Sequence, residues 1–120
     1  YKITDRKDRC IVMIEAVFEK KSGNLVSALL QGHAEYSKGK YDLVCSAVSA
    51  VSQSTVIGIT EVLKLDLDYS IDDGLLSFSL ESMKKEDILK CQVLVETMLL
   101  ALKSMEINFS KYISVKVKEV

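Results

Sequence analysis

The alternation of apolar and polar side chains over residues 64–71 constrains the fold more than any other feature of this sequence. In an extended chain the odd-numbered positions share one face, and all of them are apolar: Leu65, Leu67, Tyr69 and Ile71. The even-numbered positions share the other face and are Lys, Asp or Ser. A period of two residues is typical of a strand in a sheet with one face buried and the other exposed to water. The segment therefore predicts a sheet that is covered on one side only.

Four further segments predict strands, because they are rich in branched apolar residues or alternate in the same way. They are residues 10–19, 25–31, 76–80 and 113–117. Turn residues separate two pairs of neighbouring strands, Ser22-Gly23-Asn24 in the first pair and Asp72-Asp73-Gly74 in the second. We therefore expect two antiparallel hairpins.

Two segments change to the period of a helix, with apolar residues every three or four positions. The first begins at Asp42, a predicted N-cap whose carboxylate can accept from free backbone N–H groups. Its stripe consists of Val44, Val48, Val51, Thr55 and Ile59, and the stripe of the second helix consists of Ile88, Cys91, Val95, Met98, Leu102 and Met105. The order ββαββαβ predicts an α+β two-layer sandwich, with two helices on one face of a mostly antiparallel sheet.

A chain of 120 residues with 48% apolar and 28% charged residues has the size and composition of one globular domain, residues 1–120. The net charge of -1 argues against binding nucleic acid through a basic face. No signal-peptide pattern is present, and we find no apolar run of the roughly 18 residues that a membrane span needs. The three cysteines are an odd number and indicate free thiols in a reducing compartment. We expect a cytoplasmic protein with no membrane and no direct nucleic-acid partner.

Cys45 and His33 are the residues best suited to carry chemistry. With Asp42 as N-cap, Cys45 is the third residue of the helix, where the positive end of the helix dipole stabilises a thiolate. His33 is the only histidine and lies in the glycine-bearing loop over residues 32–41, which leads into this helix. An imidazole there could accept the thiol proton and later protonate a leaving group. Ser49, one turn after Cys45, could hydrogen-bond the site or its own helix backbone.

These residues also have structural interpretations. Cys45 could be a small buried hydrophobic side chain, as many free cysteines are, and His33 could be an exposed loop residue. Cys10 and Cys91 are predicted to fill the core. A zinc site would require all four side chains to converge without the close spacing of zinc ligands, so we expect no metal and no cofactor. The sequence also contains no dinucleotide motif, no C-x-x-C redox pair and no serine nucleophile elbow.

The segments Gly32-His33-Ala34, Asp42-Leu43-Val44-Cys45 and Ala47-Val48-Ser49 together resemble the ribosomal-processing cysteine protease (Prp) family. Two positions depart from the family pattern: Ser46 stands where the family has alanine, and Lys40 stands where it has the loop glycine. The resemblance implies that Cys45 is the nucleophile and His33 the general base. Gly32, Asp42 and Ser49 would be supporting residues.

The resemblance also implies a substrate and a partner. The family removes a short N-terminal extension from the bacterial large-subunit ribosomal protein L-twenty-seven, cutting after two phenylalanines, and thereby supports ribosome assembly. Its members form homodimers and carry a mobile loop at the histidine, so we expect residues 32–41 to become ordered over the substrate. The alternative from another functional class is a non-enzymatic dimeric module that assists ribosome assembly by binding protein or RNA.

Overall fold

The computed structural model of the protein describes residues 13–32, 40–72 and 74–120, and for residues 40–42 it describes the backbone alone. Within these ranges the chain forms strands and helices in the predicted order. They are β1 (Ile14–Lys21), β2 (Asn24–Gln31), α1 (Lys40–Ile57), β3 (Asp68–Asp72), β4 (Leu75–Ser79), α2 (Lys85–Asn108) and β5 (Ile113–Glu119). The last residues of α1 continue into a π-helical turn, Gly58–Val62.

The strands form one sheet in the order β3-β4-β2-β1-β5. Three of the four neighbouring pairs are antiparallel, and β1 with β5 is parallel. The parallel pair arises because β5 follows the long helix α2, which carries the chain back to the end of the sheet at which β1 begins. The predicted α+β fold, a mostly antiparallel sheet with two helices, is confirmed.

The core lies between the helices and one face of the sheet. Alternate residues of each central strand are buried there, including Ala16 and Phe18 of β1 and Phe78 of β4. The helices bury the stripes that the sequence predicts, with Ile59 after α1 and Leu102 on α2 fully enclosed. Because the opposite face of the sheet is half-buried or exposed, the sheet is covered on one side only, as predicted.

Polar side chains fix α2 across the sheet. The Leu25 N–H donates to Gln92 Oε1 at 2.8 Å, and Gln92 Nε2 donates to the Leu25 carbonyl oxygen at 2.8 Å. Farther along α2, Glu106 Oε2 accepts from the Val115 N–H at 2.9 Å. These partly buried hydrogen bonds satisfy backbone groups at the start of β2 and on the outer edge of β5, so they set the position of α2 along the sheet.

The strand predicted over residues 64–71 begins four residues later than expected. Lys64 has a φ of +58° and Leu65 donates its N–H to the Ile59 carbonyl oxygen at 3.0 Å. The chain therefore folds back on the end of the π-helical turn before it extends. An alternating pattern indicates which side chains would share a face of an extended chain. It does not indicate whether a residue in the left-handed conformation, such as Lys64, interrupts that chain.

The burial predicted for β3 is also wrong. Tyr69 and Ile71 lie opposite Phe78 and Leu76 of β4 and so share the helix-facing side of the sheet. They are nevertheless 49% and 46% exposed. The reason is position: β3 is the edge strand, and neither helix extends over it.

The segment Leu43–Val62 has the length and composition that would suffice to cross a membrane, with a mean hydropathy of 1.5. Serines and threonines interrupt this segment, so it contains no long uninterrupted apolar run. Core helices of globular proteins also have these properties, and Val44, Val48 and Val56 of this segment pack in the core.

Candidate active site

The helix that carries Cys45 begins at Lys40, two residues before the predicted N-cap and three before the predicted first helical residue. Asp42 therefore lies in the first turn of α1 and is not the N-cap, and Cys45 is the sixth helical residue, not the third. Asp and Glu are favourable anywhere in a first turn, because the dipole there is positive, so Asp42 was compatible with both positions. The predicted proximity of the thiol to the free N–H groups of the helix start is correspondingly reduced.

The direction of a helical side chain partly offsets this shift. Every Cα–Cβ bond of an α-helix tilts toward the N-terminus, so a side chain covers the turn that precedes it. The Cys45 thiol is thus directed toward the first turn of α1. Its residue is half-buried and packs against the core, which leaves part of it accessible.

Cys45 lines a groove of about 500 Å³ between α1 and the β3–β4 hairpin. The buried side chains of Ile14 and Leu30 from the central strands contribute to its lining. Ile71 and Leu75 lie on the hairpin side. The groove therefore combines an aliphatic floor with the thiol and several serines on its α1 side, and it is open to solvent.

Gly32 lines the same groove and comes immediately before His33 in the sequence. Its φ is +146°, and its N–H donates to the Gly74 carbonyl oxygen at 3.1 Å. A Cβ on this residue would lie 2.7 Å from the Ile14 Cα and 2.8 Å from the Met13 carbonyl oxygen. Glycine is therefore required here for two reasons: the positive φ, and the lack of room for a Cβ. The sequence had suggested only that this glycine makes the loop more flexible.

The structure brings Cys45, Gly32 and Ser49 together around one groove. Ser49 is exposed, and its Oγ accepts from Gln53 Nε2 at 2.8 Å. The sequence suggested that Ser49 would hydrogen-bond either the site or the backbone of its own helix. The observed bond to the Gln53 side chain is neither of these. His33 and the Asp42 side chain lie outside the described residues, as does most of the loop over residues 32–41, so their predicted roles stay predictions.

Three residues that line the groove were not predicted from the sequence as site residues: Asp72, Gly74 and Ser52. Asp72 and Gly74 were identified only as turn residues, yet both line the groove, because the sheet places the β3–β4 hairpin beside α1. Ser52, two turns after Cys45 on the same helix face, is 1% exposed and also lines the groove. Its Oγ is a buried side-chain oxygen without a hydrogen-bond partner in the described structure. The seven-residue spacing of Cys45 and Ser52 was the available signal.

Among the described residues, no group of three or more His, Cys, Asp or Glu side chains could hold a metal ion. Cys91 belongs to the core of α2, as predicted, and is fully buried. Burial raises the pKa of the Cys91 thiol, and the nearby Asp87 carboxylate raises this pKa further. Cys10 lies outside the described residues.

Iodoacetamide should therefore discriminate between the two described thiols. We expect Cys45 to be alkylated at least about 100-fold faster than Cys91 near pH 7, because Cys91 is enclosed and its raised pKa keeps it protonated. Mass spectrometry of the Cys45 and Cys91 peptides over time measures both rates. In guanidinium the two should react alike. Equal, slow labelling of the folded protein would contradict an accessible nucleophile at position 45 and would favour the binding module.

Comparisons with known proteins find a matching family model, similar sequences and similar structures. The family model described as cysteine protease Prp matches residues 13–114. The ribosomal processing cysteine protease Prp of Bacillus subtilis is 30% identical over 101 residues, which are 81% of this chain and 90% of the relative. A crystal structure from Streptococcus mutans is similar with a TM-score of 0.82 at 28% identity, covering 90% of this chain and 96% of that one. The crystal structure of the ribosomal processing protease Prp from Staphylococcus aureus in complex with a substrate peptide is similar with a TM-score of 0.77 at 23% identity. This match covers 88% of this chain and 100% of that one.

Proposed function

Because the chain belongs to the Prp family of cysteine proteases, we propose that it removes the N-terminal extension of the ribosomal protein L-twenty-seven precursor. Cys45 is the proposed nucleophile and His33 the proposed general base. The observation that supports this most is that Cys45 and Gly32, the residue before His33, line one groove. The related Staphylococcus aureus enzyme has been crystallised with a substrate peptide, which makes peptide binding the natural use of such a groove.

The proposed chemistry is acyl transfer through a thioester. His33 takes the proton of the Cys45 thiol, and the thiolate attacks the carbonyl carbon of the scissile bond, forming a C–S bond. The tetrahedral intermediate collapses as the C–N bond breaks, and the His33 imidazolium gives its proton to the departing amine. Water then attacks the thioester carbonyl while His33 accepts its proton. The C–S bond breaks, the carboxylic acid leaves, and His33 returns the proton to the Cys45 sulfur, which restores the thiol. Free N–H groups in the first turn of α1 would stabilise the oxyanion.

The walls of the groove suit a substrate with large apolar side chains. Ile71 of β3 and Leu75 of β4 are partly exposed on the hairpin side, and the floor is aliphatic. Burying an aromatic side chain against such a surface contributes roughly 1.5–3 kcal/mol of binding free energy. Cleavage after two phenylalanines is the specificity that we propose, with the loop over residues 32–41 ordering over the bound peptide.

We also propose that the protein acts as a homodimer in the cytoplasm, where ribosomal proteins are made and assembled. The L-twenty-seven precursor is the proposed macromolecular substrate, and we propose no membrane and no direct nucleic-acid partner. The charge supports the last point, because Lys and Arg number 16 and Asp and Glu 17. We propose that one domain, residues 1–120, carries out this function without a cofactor.

A matched pair of peptides tests the proposed specificity. We expect the protein to cut a peptide with the Phe-Phe extension after the second phenylalanine, and to cut the Ala-Ala version at least about 100-fold more slowly in kcat/KM. The two lost aromatic contacts provide that difference. Liquid chromatography with mass spectrometry identifies the cut site. Binding of the Phe-Phe peptide without turnover would contradict the proposal and support the non-enzymatic module, and equal cleavage of both peptides would contradict the specificity.

A further inference from the structure

Helix α2 presents an apolar stripe to solvent on the side away from the sheet. We call Leu89, Val93, Leu100 and Ile107 the outer stripe. These residues are 50%, 74%, 59% and 82% exposed, respectively. Their spacings of four, seven and seven residues place them along one line that runs for about five helical turns. The opposite side of α2 packs on β2, β5 and α1. The outer stripe therefore does not contribute to the core of the described residues.

The outer stripe has the spacing of a coiled-coil seam, and opposite charges occupy its two remaining positions. Glu96 lies between Val93 and Leu100, and Lys103 lies between Leu100 and Ile107; both are exposed. A seam repeating every 3.5 residues on average is the pattern by which two helices pack together. An acidic and a basic residue in one seam make it capable of pairing with itself.

The order of these charges selects one arrangement. Two parallel copies of the seam in register would place Glu96 on Glu96 and Lys103 on Lys103, which repels. Two antiparallel copies place Glu96 one layer, about 4.5 Å along the axis, from Lys103 of the partner subunit. A two-fold axis creates this attraction twice, as in any isologous interface.

The same antiparallel register covers the apolar residues. Leu89 lies level with Ile107 of the partner subunit, and Val93 lies level with the aliphatic stem of Lys103 of the partner subunit. Leu100 at the centre covers the stem of Glu96 of the partner subunit. A lipid surface fits less well, because it would take Glu96 and Lys103 into the apolar phase at the middle of the stripe.

We infer that the outer stripe of α2 is the surface on which two copies of this chain pair, with their α2 helices antiparallel. The inference rests on the homodimer of the proposed function, and it specifies the interface and the symmetry of that dimer. It does not depend on the proposed peptide specificity.

Charge reversal tests the antiparallel pairing. Sedimentation equilibrium should give wild-type protein at twice 13.4 kDa. Glu96→Lys and Lys103→Glu should each raise the dimer Kd at least about tenfold, because each replaces two attractions by two repulsions. The double reversal should restore the wild-type Kd within about threefold. An equimolar mixture of the two single variants should form heterodimers, since their charges are complementary. Glu61→Lys, an exposed reversal after α1, should leave the Kd unchanged.

Circular dichroism verifies that each variant is folded, which is expected because the changed side chains are exposed. Wild-type dimers that tolerate both single reversals would overturn the inference and leave the proposed homodimer to another surface. A wild-type monomer at 100 µM that still cuts the Phe-Phe peptide would overturn both the interface and the homodimer but not the protease. Binding of a monomer to phosphatidylglycerol vesicles, abolished by Leu100→Glu, would assign the stripe to lipid and also overturn the inference.

Discussion

Replacing Cys45 with alanine is expected to lower the rate of peptide cleavage by at least about 10⁴-fold, because no other group on the described groove can form the thioester. Folding should be unaffected, since Cys45 is half-buried and alanine favours helices. Single-turnover cleavage of the Phe-Phe peptide, followed by liquid chromatography, measures the loss. Peptide affinity should change little.

Cys91→Ala is the matched control for this experiment. It removes the other described thiol from a buried position on α2, so it should lower the free energy of unfolding while leaving kcat within about threefold of the wild type. His33→Ala should lower kcat by about 10²–10⁴-fold, the usual contribution of a general base. Activity that survives Cys45→Ala would reject the nucleophile. Activity that survives His33→Ala but not Cys45→Ala would reject only the proposed base.

Gly32→Ala should cause a large loss of stability for a substitution that adds a single methyl group. An added Cβ would approach the Ile14 Cα to 2.7 Å and the Met13 carbonyl oxygen to 2.8 Å. Both are backbone atoms, so relief requires that β1 or the end of β2 moves. We expect the free energy of unfolding to fall by about 3 kcal/mol, which corresponds to a decrease in Tm of roughly 12 °C for a domain of this size. Differential scanning calorimetry measures both.

Gly23→Ala separates the cost of conformation from the cost of the clash. Gly23 also has a positive φ, +83°, but a Cβ there would meet nothing within 4 Å. Its replacement should cost only about 1 kcal/mol, the penalty of a left-handed backbone for an L-residue. If the two alanine variants lose the same stability, the close approach of Gly32 to β1 is not what requires glycine. Only Gly32→Ala should also impair cleavage, because Gly32 lines the groove.

The sequence predicts the strands and helices well, because their signals are local. The stripe of α2 repeats every three or four residues, and Cys91, Val95 and Leu102 are buried as that period requires. Element boundaries are less well determined. Asp42 is favourable both as a cap and within a first turn, so the residues alone do not distinguish a start at position 42 from the observed start at Lys40.

Some residues of the candidate site were likewise predicted from the sequence, and others were found only in the structure. Cys45 and Gly32 were identified from their neighbours in the sequence, and the groove contains both. Ile71 and Leu75 were missed as groove residues, because a strand pattern does not say which element lies beside its turn. That depends on strand order, which places the β3–β4 hairpin at the free edge of the sheet and next to α1.

By itself, then, the amino-acid order determined the periods of the elements, the two turns and the candidate nucleophile, since each depends on residues only a few positions apart. The tertiary structure alone decided which apolar faces are covered. Tyr69 and Ile71 of β3 satisfy the same alternation as buried residues, yet both remain exposed. Coverage depends on which elements stack against one another, and that is set by the free energy of burying surface across the whole chain.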